Sequence, residues 1–299
     1  MKLVTFSAKS RTSNTQPASA SVPAAALSVD IPTPGVLIGE EIVDLSSLGY
    51  PTVLSIIEAG RPALDEIQSK LPKAPRIPLP SVILGAPLRP PRIFGIGLNY
   101  QKHADESKMP VQRVPTVFMM LSSSVVGPDY PIVLPKISTQ PDYEAEFGVV
   151  IGKPGYQIAA EDWQQYVFGY TIVNDVSARD IQLSTSQWSL GKSFPTFTPI
   201  GPAITTADEV SDPHALSIKL TIDGETLQDS NTNDLIFKIP ALIAYISSTT
   251  PLEAGDIIST GTPEGVGLGR DPKRWLKPNE EVIITIDKLG ALRNRTIAE

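Results

Sequence analysis

The sequence contains no cysteine, which excludes disulfide bonds, thiolate-bound zinc and a cysteine nucleophile. Its only histidines are His103 and His214, so a histidine-rich metal site is excluded as well. No apolar run approaches the roughly 20 residues that are needed to span a bilayer. Basic residues number 25 against 32 acidic residues, a net charge of −7 that disfavours non-specific binding to nucleic acid or anionic membrane. Any metal must therefore be held mainly by oxygen.

Proline, by contrast, is abundant. The 299 residues include 29 prolines, which is about twice the usual share. Because proline confines strands to sheet edges and starts turns, we expect a loop-rich, strand-dominated protein. The chain is long enough for a large core and one or two domains.

Composition suggests three parts. We expect a small N-terminal domain at residues 1–72, a proline-rich linker at 73–91 and a catalytic domain at 92–299. Residues 7–34, rich in Ser, Ala, Thr and Pro, read as a flexible insertion. The first 29 residues carry basic but no acidic side chains, as transit peptides do. Since MKLVTF is typical of a strand, we expect a cytoplasmic location, with a mitochondrial one as the alternative.

Periodicity predicts several elements. Residues 54–71 have helical spacing that is interrupted near Gly60, and residues 239–247 form a second apolar-faced helix. Residues 35–45 predict one hairpin, and Asp223-Gly224 predicts the turn of another. An alternating segment at 280–287 is expected to be the last strand of the chain.

An acidic stretch between Pro141 and Asp180 organises the chain. Glu144 and Glu146 are two residues apart, so on a strand their side chains share a face. Asp175 ends a second strand-like run. If these carboxylates meet, a hard cation such as Mg²⁺, Mn²⁺ or Ca²⁺ would relieve their repulsion. The alternative is an acidic strand edge that faces solvent.

Further motifs occur in a fixed order along the chain. They are PRIFGIGLNY, HADE, SSSVVGP, DYEAEFGVVIGK, FGYTIVNDVSARDIQ, QW, GKSF, TPIGP and TGTPEGVGLG. Together they resemble the fumarylacetoacetate hydrolase family, from about residue 92 to residue 295. The resemblance implies an α+β, strand-dominated fold, a mixed β-sheet roll with a small N-terminal α/β domain. It also implies a homodimer that uses Mg²⁺ or Mn²⁺, with Ca²⁺ as a substitute in crystals.

The resemblance also implies a role for each of nine residues. Glu144, Glu146 and Asp175 would be metal ligands; His103 and Glu106 would be a water-activating pair on a lid; Lys192 would bind a substrate carboxylate or oxyanion; Arg179, Gln182 and Thr262 would line the pocket. One departure lies near this pocket, because Pro195 follows GKSF where relatives often have aspartate. It puts the transfer of a substrate from relatives in doubt. On its own, His103 would read as a surface residue, and His214 as a structural one.

Several reactions share the implied chemistry. The metal would chelate a 2-oxo acid and, as a Lewis acid, stabilise an enolate. We expect a magnesium-dependent hydrolase that cleaves a C–C bond in an acylpyruvate or related 1,3-dicarbonyl acid, with His103 taking a proton from water. The alternatives are a decarboxylase or keto–enol tautomerase of oxaloacetate-like 2-oxo diacids, or a hydratase. A scaffold that binds a small acid without turnover is a further alternative. The sequence leaves the substrate open.

Overall fold

The computed structural model describes residues 1–9, 33–108 and 110–299. The expected flexible insertion at 7–34 therefore lies mostly outside the described residues. Of its described residues, 7–8 and 33–34 belong to strands. Within the described ranges, no helix is both long and apolar enough to cross a membrane.

Strands dominate the residues that the structure describes, and five short α-helices accompany them there. The strands are β1 (Lys2–Ala8), β2 (Thr33–Ile38), β3 (Glu41–Asp44), β4 (Arg76–Pro78), β5 (Val82–Gly85), β6 (Ile93–Gly97), β7 (Thr116–Met120), β8 (Val125–Val126), β9 (Ile132–Leu134), β10 (Pro141–Asp142), β11 (Ala145–Ile151), β12 (Val167–Asn174), β13 (Ser177–Ala178), β14 (Thr198–Thr206), β15 (Ser217–Ile222), β16 (Glu225–Asn231), β17 (Ile257–Ser259), β18 (Glu281–Ile286) and β19 (Gly290–Ala298). In the described part of the chain, the α-helices are α1 (Val53–Ala59), α2 (Arg61–Lys70), α3 (Gln101–Ser107), α4 (Arg179–Gln182) and α5 (Ile239–Thr249).

The strands form a large mixed sheet and two smaller ones. The large sheet has 12 strands, of which ten follow the order β4-β3-β2-β1-β14-β12-β11-β17-β6-β7, while β5 pairs with β1 and β8 with β14. A five-stranded sheet has the order β16-β15-β18-β19-β9, and β10 pairs with β13. Most pairs are antiparallel, but β6 with β17, β8 with β14 and β9 with β19 are parallel. The predicted strand-dominated α+β class is confirmed.

Strand β11 is buried on both faces of the large sheet. Phe147 and Val149 belong to a core that also contains the five-stranded sheet and α5. Val150, between Val149 and Ile151, belongs to a second core, which is formed with α1 and α2. This alternation follows from the two-residue period of a strand. Glu144, just before β11, and Glu146, within it, are therefore buried and do not lie on a solvent-exposed sheet edge.

The N-terminal strands continue the large sheet. Strand β1 lies between β2 and β14, and the predicted linker at 73–91 contributes β4 and β5. The two hairpins and the helix break at Gly60 lie where the sequence predicted them. The division into domains at 72 and 92 stays a prediction.

The expectation that residues 280–287 form the last strand is wrong, because β19 follows β18 and pairs with it along its length. Two inward-facing positions of β19 carry the polar residues Asn294 and Thr296, which hides the apolar alternation. Their side chains bond to backbone carbonyls, Asn294 to Gly127 and Tyr130 at 2.9 Å each. Buried polar groups that find such partners are compatible with a sheet interior.

Candidate active site

The pairing of β11 with β12 brings the acidic residues together. The strands are antiparallel with Ala145 opposite Asn174, so Glu144, just before β11, lies beside Asp175, just after β12. The Asp175 N–H donates to the carbonyl oxygen of Glu144 at 3.0 Å. Antiparallel pairing thus joins residues that are 31 positions apart in the chain.

The three carboxylates form a compact buried group, which we call the acidic cluster. One oxygen from each of Glu144, Glu146 and Asp175 lies within 4.8 Å of the others. Burial, followed by the charges of Asp175 and Glu144, raises the pKa of Glu146. Burial and Glu144 also raise the pKa of Asp175, to about 7, against the opposing effect of Lys192. The cluster therefore resists full ionisation on its own.

Two buried cations contact the acidic cluster. The Lys192 ammonium donates to Glu144 at 2.8 Å, to Asp175 at 2.6 Å and to the Ser177 hydroxyl at 2.9 Å. Arg179 donates to Glu144 at 2.6 Å. Burial would raise the pKa of Glu144, but Lys192 and Arg179 outweigh it and lower this pKa to about 2.

The donor set fits one divalent cation. Asp142 also pairs with Arg179, at 2.8 Å, so four buried carboxylates share two buried basic side chains. Fully ionised, this group carries two excess negative charges, which a divalent ion would neutralise. Among the described residues, Oδ1 of Asp175 is buried without a hydrogen-bond partner. An all-oxygen set of ligands suits Mg²⁺ or Mn²⁺. The residues present thus fit the cation that was predicted, while the metal-ligand assignments stay predictions.

Glu146 is oriented by the strand that follows α5. Its carboxylate accepts a hydrogen bond of 2.5 Å from the Ser259 hydroxyl and one of 3.1 Å from the Gly261 N–H. Thr262, predicted to line the pocket, accepts a 2.8 Å hydrogen bond from the Gln228 side chain. Strand β17 and the loop after it therefore fix one side of the acidic cluster.

His103 and Glu106 lie on α3, at the mouth of the same site. Nδ1 of His103 is 3.3 Å from Oε2 of Glu106, and both side chains are largely buried. The Glu106 carboxylate also accepts 3.2 Å hydrogen bonds from the Gly265 N–H. Burial would raise the pKa of Glu106, but the His103 and Gly265 contacts keep it below its ordinary value. Glu106 is thus an anion that can orient the imidazole.

One cavity of about 360 Å³ joins these groups. Eight of the nine predicted site residues line it, and Asp175 lies buried behind them. Its volume is in the range of small-molecule sites. Apolar side chains also line the cavity; they are Ile96, Leu98, Phe118, Leu183, Trp188, Val266 and Leu268. Gly97 makes room for one of these walls, because a Cβ there would lie 2.3 Å from the Trp188 ring.

Sequence reasoning missed Asp142, which is fully buried beside the site. Its carboxylate accepts hydrogen bonds from Arg179 at 2.8 Å and from the N–H groups of Gly267 and Leu268 at 2.7 and 2.9 Å. Asp142 therefore ties the cavity wall at 267–268 to the arginine that holds Glu144. The available signal was its place in the DYEAE motif. Ser177 had the same kind of signal, its place in the FGYTIVNDVSARDIQ motif, whereas Ser259 lies outside the motifs.

His214 and Pro195, the two remaining residues that the sequence singled out, do not line the cavity. His214 is in a different part of the molecule, where Nε2 accepts a 3.3 Å hydrogen bond from the Ile239 N–H at the start of α5. This agrees with the structural role that was expected. Pro195 is not among the residues that line the cavity, although Lys192 in the same motif is.

Comparison with known proteins agrees with this geometry. The sequence profile of the fumarylacetoacetate (FAA) hydrolase C-terminal family matches residues 92–297. A protein of Rattus norvegicus, named oxaloacetate tautomerase Fahd2a, mitochondrial, is 43% identical over 266 residues, which cover 87% of this chain and 85% of the relative.

Two solved structures have a fold similar to that of this chain. A fumarylacetoacetate hydrolase from Exiguobacterium antarcticum is 31% identical with a TM-score of 0.84, and the match covers 100% of both chains. Maleylpyruvate hydrolase from Sphingobium sp. SYK-6, solved with manganese(II) and pyruvate, is 32% identical with a TM-score of 0.81, over 100% of this chain and 99% of that one. The predicted fold is confirmed, and so is the prediction that the chain is an enzyme. The chain belongs to the fumarylacetoacetate hydrolase family.

Proposed function

We propose that this enzyme interconverts the keto and enol forms of an oxaloacetate-like 2-oxo diacid. The observation that carries the proposal is that His103, with Glu106 beside it, lines the same cavity as Glu144 and Glu146. A base and a charge-stabilising centre can thus reach one small ligand. The tautomerase name of the 43% identical relative supports this reaction over the others.

The acidic cluster would hold the metal, Mg²⁺ or Mn²⁺. When bound, the ion would supply Lewis acidity that stabilises negative charge on the 2-oxo and carboxylate oxygens of the substrate. The Sphingobium maleylpyruvate hydrolase was solved in complex with both manganese(II) and pyruvate, which supports such a pairing of metal and 2-oxo acid.

Protein groups would move the proton. With Nδ1–H of His103 donating to Glu106, the unprotonated Nε2 can accept the proton from the carbon next to the 2-oxo group. The same imidazolium can return a proton to the oxygen, which gives the enol without net change in atoms or charge. Lys192 keeps a positive charge beside the cluster, since Asp175 and Glu144 outweigh burial and keep its pKa above the ordinary value.

Hydrolysis of a C–C bond is the second candidate. It was the first expectation from the sequence, and the His103–Glu106 contact at 3.3 Å also suits the activation of water. The names of the two solved hydrolases support it. The two reactions share an enolate of the 2-oxo acid but form it differently. In tautomerisation it forms when a proton leaves carbon. In hydrolysis it forms when the C–C bond breaks after water has added to a second carbonyl.

One assay separates the candidates. The purified full chain with Mg²⁺ is given oxaloacetate, and decay of enol absorbance is followed together with release of CO₂ and pyruvate. Faster enol decay without CO₂ supports tautomerisation, and CO₂ release indicates decarboxylation. Cleavage of acetylpyruvate to acetate and pyruvate indicates hydrolysis. No turnover of either compound would contradict the proposal and favour the scaffold.

Location and assembly are also proposals. We expected the cytoplasm, but the mitochondrial name of the rat relative favours mitochondria. Because β1 lies inside the large sheet, removal of residues 2–8 would take out a strand that pairs with β2, β5 and β14. Fractionation of cells tests the mitochondrial location, and the intact mass of the recovered protein tests whether residues 2–8 are retained. The family resemblance supports a homodimer, which sedimentation can test.

A further inference from the structure

The basic side chains that line the cavity differ in how many of their hydrogen-bond donors already bind protein groups. They are His103, Arg179, Lys192 and Lys273. Arg179 donates through Nε to Asp142, through Nη1 to Gln182 and through Nη2 to Glu144. Arg179 is therefore committed to holding other side chains.

Lys192 is occupied in the same way. An ammonium group has three donors, and those of Lys192 are directed to Glu144, Asp175 and Ser177. It can favour negative charge close to the acidic cluster. It cannot reach a group at the far end of a substrate without breaking these contacts.

Lys273 is different. Its side chain is exposed at the cavity, and among the described residues its ammonium donates to the backbone carbonyl of Leu268 and to no carboxylate. Two donors of the ammonium remain for a ligand. Of the four basic residues, Lys273 is thus the one that offers a full positive charge not engaged by a protein carboxylate.

The loop that carries Lys273 is held firmly. The Gly267 and Leu268 N–H groups donate to Asp142, the Arg274 N–H donates to the Gly267 carbonyl at 3.2 Å, and the Leu276 N–H donates to the Pro141 carbonyl at 2.8 Å. The loop is thereby tied to the segment that leads into β11. A charge on a preorganised element loses less entropy when it binds a ligand.

We propose that Lys273 binds the second carboxylate of a 2-oxo diacid whose 2-oxo carboxylate end lies at the acidic cluster. The inference rests on the proposed function and names the residue that recognises the second carboxylate of the diacid. Leu268, whose backbone carbonyl accepts the hydrogen bond from Lys273, lines the same cavity as Lys273. A monoacid would leave Lys273 without its partner.

The test compares oxaloacetate with its 4-methyl ester, in which a methyl group replaces the distal negative charge. Lys273→Gln should lower kcat/KM for oxaloacetate roughly 10-fold, mostly through KM, because a charge-assisted hydrogen bond near the surface is lost. The ratio of kcat/KM for the diacid to that for the ester should fall by a similar factor. Lys273→Arg should restore part of this ratio.

Lys277→Gln is the matched control, since Lys277 is exposed on the same segment but does not line the cavity. It should leave both substrates unaffected. An equal loss on both substrates in Lys273→Gln, or no loss on either, would overturn the inference. Titration calorimetry of the Mn²⁺-loaded protein with oxaloacetate and with pyruvate tests it without turnover. The wild-type protein could fail to turn over oxaloacetate and still bind it more tightly than pyruvate in a way that depends on Lys273. That result would contradict the proposed function but support the inference about Lys273.

Discussion

The ammonium nitrogen of Lys192 lies 2.6 Å from Oδ2 of Asp175, while Oδ1 of the same carboxylate has no hydrogen-bond partner among the described residues. One oxygen is thus paired with a protein cation, and the other is buried without compensation. An unpaired buried acceptor carries a desolvation cost. This asymmetry indicates that Lys192 supplies part of the positive charge that the site needs.

Replacement of Lys192 by methionine should therefore destabilise the metal-free protein. Removal of one partner of a buried pair costs about 3–5 kcal/mol. Urea unfolding without metal should show a lower midpoint, and Mn²⁺ should narrow the difference from wild type because it replaces the lost charge. Equal midpoints in the absence of metal would show that Lys192 is not needed to balance the cluster.

Asp142 should behave as a positioning residue. Asp142→Asn removes the charge opposite Arg179 and places an amide donor where an oxygen accepts a hydrogen bond. We expect a loss of about 3–5 kcal/mol in the free energy of unfolding and a higher KM. The control is Asp65→Asn in the exposed pair with Arg61, which should change stability by about 0.5 kcal/mol or less. Similar losses in the two variants would argue against a special role for Asp142.

His103→Gln should reduce kcat about 10²- to 10⁴-fold, the usual contribution of a general acid–base group. Affinity for Mn²⁺ should be unchanged, since His103 is not part of the acidic cluster. The other histidine provides the control: His214→Gln should keep full activity at neutral pH. Weaker Mn²⁺ binding by His103→Gln would assign His103 to the metal site instead.

His214 should make stability depend on pH. Its Nε2 accepts the Ile239 N–H, and burial followed by Lys238 lowers its pKa. The pKa of His214 in the folded protein is thus below the ordinary value of about 6.5. Between these two pKa values, the unfolded chain binds more protons at His214 than the folded protein does. Stability from neutral His214 is complete above about pH 6.5 and is lost as the pH falls through the folded pKa.

Urea unfolding at pH 7.5 and pH 5.5 measures this effect. Wild type should lose more stability on acidification than His214→Gln, in which the side chain stays neutral. Both proteins retain His103, so its contribution cancels in the comparison. An identical pH dependence would show that protonation of His214, which removes the acceptor for the Ile239 N–H, has no measurable effect on the free energy of unfolding.

The sequence predicted those parts of the site that depend on local patterns. The spacing of Glu144 and Glu146 and the end of the strand before Asp175 are local features, and the structure places the three carboxylates together. The family resemblance added the residues of α3 and the lysine of GKSF. Their catalytic roles stay predictions, since geometry alone does not test them.

Long-range hydrogen bonds could not be predicted. Asp142 bonds to Gly267, 125 residues away, and Ser259 bonds to Glu146 across 113 residues. No spacing rule connects such positions, because the loop path decides which N–H or O–H reaches each carboxylate. Strand β19 was missed for another reason, since its buried Asn294 and Thr296 conceal the apolar alternation.

Binding of Mn²⁺ to the metal-free protein, followed by electron paramagnetic resonance, is the most direct test of the acidic cluster as a metal site. We expect one tightly bound ion per wild-type chain. We also expect loss of that ion in Glu146→Gln, which keeps the size of the side chain but removes its charge. Equal binding by wild type and Glu146→Gln, or no binding by either, would contradict the claim that the acidic cluster holds the metal.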